Sequence, residues 1–316
     1  MTSVRSDFTL GSMHCRNRVW VASGTFGYGD ECPDLVDVNK IGAIVTKSLS
    51  MKPRDGNPPP RIVETPSGMI NSIGLANIGV QRFIDEKAPF LRSLDTAVIV
   101  NIAASTIEEY RAVLERIEDA HCCDAYEINV SCPNVKEGGL SFGTNVRMTV
   151  DITKALRPLT DKPLIIKLTP NVTSVSEFAR AVEGEGADAV SLINTLVGMS
   201  VDVKTRRPKI STTTGGLSGP AIRPVALAKV YEVVKSVSIP VIGIGGITQT
   251  NDALEFLITG AAAVEIGTAN YINPNIAVEI AGGIESFCRA NGISDVREMI
   301  GTLQTDQTIS VVKSWL

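Results

Sequence analysis

Short β-branched apolar runs alternate with amphipathic stretches eight times along the chain. The runs cover residues 19–23, 43–47, 97–101, 125–129, 164–168, 189–194, 241–245 and 263–267. Most are continuously apolar, as strands covered on both faces must be. Thr106-Ile-Glu-Glu109 reads as a capping box opening a helix with Ile107, Tyr110, Leu114 and Ile117 at 3–4 spacing. Ser174-Val-Ser-Glu177 reads as a second one, opening a helix through Val182. Eight strand–helix units predict an α/β fold, a (β/α)8 TIM barrel, with an N-terminal hairpin over residues 8–18 plugging the bottom. A doubly wound sheet alternates in the same way. Its dinucleotide fingerprint fails here, because Gly243-Ile-Gly245-Gly-Ile-Thr248 carries threonine at the third glycine position.

Two connections are too long for plain barrel loops. One spans 48–81 with Pro58-Pro59-Pro60, and the other spans 195–220 with Gly215-Gly216-Leu-Ser-Gly219-Pro220. Both follow strand ends, on the face where barrels build their sites. No interdomain linker interrupts the pattern, so residues 1–316 read as one domain.

Composition narrows the function classes. A chain of 316 residues, 44% hydrophobic, can bury a core without disulfides or metals. With 30 basic against 34 acidic residues the net charge is −4, which argues against nucleic acid as the main partner. No apolar run reaches the roughly 18 residues of a membrane helix. The opening Met-Thr-Ser-Val-Arg-Ser-Asp-Phe lacks a signal peptide's apolar core, so a cytoplasmic protein is expected. The six cysteines form no C-x-x-C pair and no iron–sulfur spacing, and no metal site is expected.

Candidate chemistry collects at the strand ends. In order these carry Ser23, Lys47, Asn101, Asn129, Lys167, Asn194, Gly245-Gly246 and Gly267-Thr268. Around one rim they would offer donors, amides and two ammonium groups to a planar, anionic ligand. The glycine pairs close strands seven and eight, where barrels frequently bind phosphate through bare backbone N–H groups. Cys132 follows strand four beside Ser131 and Asn134, and a loop thiolate could act as a general base. His14 and His121 fall outside the strand ends and read as structural.

Taken together, Asn129-Val-Ser-Cys-Pro-Asn-Val-Lys-Glu-Gly-Gly139, Asn71-Ser-Ile-Gly-Leu75, Ile193-Asn-Thr195, Gly215–Pro220 and Gly243-Ile-Gly-Gly246 resemble class 1 dihydroorotate dehydrogenases. More narrowly the chain is similar to the catalytic subunit of class 1B, the NAD-linked type, over about residues 7 to 303. The resemblance implies an FMN-bearing barrel oxidising dihydroorotate to orotate in pyrimidine synthesis. It implies FMN contacts from Ser23, Lys47, Ser48, Asn101, Asn129, Lys167, Ile193, Gly219, Gly245, Gly246, Gly267 and Thr268. Substrate contacts would come from Lys47, Asn71, Ser72, Ile73, Gly74, Leu75, Asn129, Asn194 and Thr195, with Cys132 as the base. It further implies a homodimeric core joined into a heterotetramer by a partner subunit that carries FAD and a [2Fe–2S] cluster.

The alternatives are a class 1A homodimer passing electrons to fumarate, a non-catalytic phosphate-binding barrel, and a flavin reductase of pyrimidines in RNA. Two features depart from the family pattern. Asn77-Ile78-Gly79 stands where Asn-Pro-Gly is expected, and residues 304–316, including Val311, Val312, Trp315 and Leu316, lie beyond it.

Overall fold

The computed structural model describes residues 4–31, 34–130 and 142–305. Eight parallel strands close a barrel: β1 (Val19–Val21), β2 (Ala43–Val45), β3 (Ala97–Ile102), β4 (Ala125–Asn129), β5 (Leu164–Lys167), β6 (Ala189–Leu192), β7 (Val241–Ile244) and β8 (Ala263–Ile266). They neighbour one another in chain order, and β8 pairs with β1. Among the described residues, six α-helices of ten or more residues cover the outside: α1 (Ile107–Ala120), α2 (Val146–Leu156), α3 (Val175–Gly184), α4 (Arg223–Val234), α5 (Thr250–Thr259) and α6 (Ile276–Ala290). The first two connections depart from the expected units. Among the described residues, β1 and β2 are joined through a single 3-10 turn, Val38–Lys40, and β2 and β3 through a broken helical run ending at Ala88–Leu91. The segment after β1 carries Gly24, Gly27 and Gly29 and no 3.6-residue apolar period, which leaves nothing to drive a full helix.

Alternate strand residues face two cores. Val19, Val21, Ile44 and Val98 pack outward against Tyr110, Leu114 and Ile117 of α1 and their counterparts on other helices. Trp20, Ala43, Ala97, Ala125, Ala189 and Ala263 face inward with Phe8, Leu10 and Met13. The small alanines leave room for the hairpin Phe8–Leu10 and Met13–Cys15, which closes the bottom as the sequence predicts. Phe8 meets Trp20 with ring centroids 5.8 Å apart, and the Arg18 guanidinium lies 5.2 Å over the Phe8 ring.

The two long connections are more ordered than loops. Ile62–Thr65 and Gly68–Asn71 from the first pair with Thr214–Ser218 and Leu196–Met199 from the second, as one four-stranded antiparallel sheet. This sheet forms a lid beside the C-terminal rim. In the 71–79 segment, Asn77 holds the turn although Ile78 stands where proline is expected. Its amide donates to Ser50 Oγ and Leu75 O, each at 2.8 Å, and its carbonyl accepts from Gly79 N at 2.9 Å.

The capping boxes are realised only in part. Thr106 Oγ1 accepts from Glu109 N at 3.1 Å, but the Glu109 carboxylate turns away to Ser105 N, Met51 N and Arg54, tying α1 to the first long connection. Ser174 makes no cap bond; Glu232 of α4 takes the Ser176 N–H at 3.1 Å instead. A carboxylate from a packed neighbour competes successfully with the local hydroxyl.

Candidate functional site

A cavity of about 580 Å³ opens between the C-terminal rim and the lid. Every candidate from the strand ends and motifs lines it except two. Asn101 is fully buried beneath the wall, and Cys132 lies, with residues 131–141, outside the described residues. Cys32 and the tail beyond 305 fall outside them as well.

At one end the wall is bare backbone. Gly246 has φ +71° and lies so close to α4 that an added Cβ would sit 2.7 Å from Arg223 Cβ. Packing alone therefore requires glycine there. Gly267 is different: its φ is −105°, and a Cβ would meet nothing nearer than Ala22 Cβ at 3.8 Å. No packed atom calls for glycine at 267, and its bare backbone borders open cavity space. Thr268 Oγ1 donates to Ser218 Oγ at 2.8 Å, which joins this end to the lid. The turn after Gly246 is held by buried Asp252 of α5, which accepts from Thr248 N and Oγ1 at 2.9 Å and pairs with Arg223. The threonine that breaks the dinucleotide fingerprint thus anchors this turn.

At the other end stand the two lysines, in contrasting surroundings. Lys47 is half-buried and has no ion pair or side-chain hydrogen bond among the described residues. Burial lowers its pKa, and the charge of Glu31 opposes that only partly. Lys167 is 5% exposed, with Nζ 3.0 Å from Glu127 Oε1 and 3.3 Å from Glu265 Oε2. Burial disfavours its charge, but the two carboxylates outweigh this and raise its pKa. Glu127 also accepts from Asn101 Nδ2 at 2.5 Å and Ser191 Oγ at 2.8 Å. Burial opposes its ionisation, and Lys167 with these hydrogen bonds overcomes it, so its pKa falls. Burial and then the Glu127 charge push Glu265 well above the carboxylate range.

Between the two ends lie amides and a tight turn. Asn194 Nδ2 reaches Asn129 Oδ1 at 3.4 Å, and Tyr110 Oη of α1 donates to Asn129 O at 2.8 Å, fixing the end of β4. The stretch from Asn71 to Leu75 turns through left-handed backbone at Gly74 (φ +75°) and Leu75 (φ +56°). Asn57 holds this turn, donating from Nδ2 to Ser72 O at 2.9 Å and from its backbone to Ile73 O at 3.0 Å. Such outliers concentrate at functional sites. Ser72 Oγ is buried here without a partner among the described residues.

Sequence reasoning missed several residues. Glu127 and Glu265 sit inside apolar runs, and a lone charge at an inward strand position was the available signal. Asn171 braces the lid through Nδ2 to Thr195 O at 3.0 Å and Oδ1 from Val197 N at 3.1 Å. Nothing in the local sequence marks its role.

Fold and site together define a (β/α)8 barrel with a glycine-walled, lysine- and amide-lined ligand cavity on its C-terminal rim. Residues 7–288 match the family model described as dihydroorotate dehydrogenase, and the chain belongs to that family. It is 54% identical over 295 residues to the "Dihydroorotate dehydrogenase B (NAD(+)), catalytic subunit" of Geotalea daltonii, covering 93% of this chain and 97% of that one. The proteins of the same name from Trichlorobacter lovleyi (53%, 93% and 97% covered) and Thermoanaerobacter sp. (52%, 94% and 98% covered) are similar too.

Proposed function

We propose that the chain is an FMN-bearing catalytic subunit that oxidises dihydroorotate to orotate for pyrimidine synthesis in the cytoplasm. In this reading the electrons pass to NAD+ through a partner subunit carrying FAD and [2Fe–2S], with a homodimer of this chain at the core of a heterotetramer. The observation that carries the reading is one cavity lined by bare glycine backbone, two lysines and amides. Its volume suits a cofactor-sized ligand. Open space above Gly267 and the buried Ser72 Oγ, without a partner among the described residues, fit a bound polar group.

Bound FMN would supply a hydride acceptor at ring nitrogen N5. Backbone N–H groups at Gly219, Gly245, Gly246, Gly267 and Thr268 would hold its phosphate. Ser23, Lys47, Ser48, Asn129, Lys167 and Ile193 would hold the rest, with Asn101 acting from the layer beneath. Lys47 would pair with the dihydroorotate carboxylate, while Asn129, Asn194, Thr195 and the turn from Asn71 to Leu75 orient its amide edge. Cys132 is assigned the base that takes the C5 proton while hydride leaves C6.

Cys132→Ala should keep its flavin yet be reduced by dihydroorotate at least about 100-fold more slowly. Unchanged reduction would remove the base assignment. The named relatives support NAD+ rather than fumarate as acceptor. Rapid reoxidation of the dihydroorotate-reduced chain by fumarate would contradict that choice.

A further inference from the structure

Beneath the cavity floor lies an ionic cluster whose charges do not cancel. Lys167 Nζ is 3.0 and 3.4 Å from the two oxygens of Glu127 and 3.3 Å from Glu265 Oε2. Glu127 is 0% exposed and Glu265 1%. Among the described residues, Lys167 is the only cation bonded to either carboxylate. Two ionised carboxylates against one ammonium would seal a net negative charge inside the barrel, which is strongly disfavoured.

The two carboxyls are not equivalent. Glu127, on β4, is satisfied by Asn101 from β3, Ser191 from β6 and Lys167 from β5. Glu265, on β8, has Lys167 on Oε2, while its Oε1 is buried without a partner. Lys167 bridges it to Glu127, whose charge acts on it. A proton on Glu265 would cancel the surplus charge and give the orphaned carboxyl oxygen a hydrogen to donate.

We propose that Glu265 is carried as the neutral acid beside ionised Glu127, and that the pair positions Lys167 at the cavity floor without adding net charge beneath it. The consequence rests on the flavin reading above. Lys167 lines the cavity, and a reduced flavin ring gains negative charge that a second ionised carboxylate below would oppose.

The first test is infrared spectroscopy of the full chain near neutral pH, with and without FMN. The wild type should show the C=O stretch of a protonated carboxyl, and Glu265→Gln should remove it. A wild type without this band, or a Glu265→Gln variant that removes no carboxyl band, overturns the proposal. Glutamine is an isostere of the neutral acid, so Glu265→Gln should fold like the parent; failure to fold also counts against it. The second readout is the midpoint potential of bound FMN. Glu265→Gln should leave it unchanged, whereas Glu127→Gln should raise the reduced-to-oxidised ratio at fixed potential about tenfold, about 30 mV for a two-electron couple. Equal shifts in both variants overturn the assignment. If Glu127→Gln does not fold, the wild-type and Glu265→Gln measurements still decide. A chain that binds no FMN would fail the functional reading, and the infrared result on the flavin-free chain would still settle the proton.

Discussion

Lys47 and Lys167 end apolar strands in the same way, yet the barrel gives them opposite surroundings. Lys167 is caged by carboxylates, and Lys47 meets none among the described residues. Because burial lowers the Lys47 pKa in the folded chain, the unfolded state binds more protons between that value and 10.5, and stability rises with pH across this window. Binding of an anion runs the other way, since it needs the ammonium. Dihydroorotate affinity should therefore fall as pH rises toward the lowered pKa. Lys47→Met should weaken it by about 10- to 100-fold, the worth of a charged hydrogen bond, and flatten the profile. An unaltered profile in Lys47→Met would contradict this role. The glycines divide similarly. Gly267→Ala, which meets no packed atom, should retain FMN at least about tenfold less well, whereas Gly246→Ala should lose stability through its clash with Arg223. Both lysines were legible because each breaks an apolar run at its end. Glu127 and Glu265 were not, because neutralising partners on β5 and neighbouring strands make a mid-strand charge tolerable only in three dimensions.

Among the elements, the barrel strands were the most readable, since burial on both faces writes continuous apolar runs. The lid sheet was hidden. Thr214-Gly-Gly-Leu-Ser218 has the composition of a loop, and it becomes a strand by pairing with Gly68–Asn71, about 145 residues away in the chain. Helix starts were placed correctly, but their caps depend on neighbours. Thr106→Ala should cost about 1 kcal/mol in chemical denaturation, whereas Ser174→Ala should cost clearly less, because Glu232 already serves the start of α3. Equal losses would show that the cap geometry is not what stabilises α1.

For the whole molecule, the apolar floor and the polar layer above it divide the labour. The hairpin fills the bottom against small alanines, so Phe8→Ala should destabilise by about 3–5 kcal/mol while leaving the rim chemistry in place. Above that floor, Asn101, Glu127, Lys167 and Ser191 form a hydrogen-bonded polar layer, and the lid covers the cavity above it. No helix among the described residues is long and apolar enough to cross a membrane. The proposed function requires this cavity to bring a flavin and dihydroorotate together. Its most direct test is the visible spectrum of the FMN-loaded chain under anaerobic conditions, before and after stoichiometric dihydroorotate. Bleaching of the flavin band with formation of orotate is the predicted result. A flavin that stays oxidised in the presence of excess dihydroorotate would contradict that function.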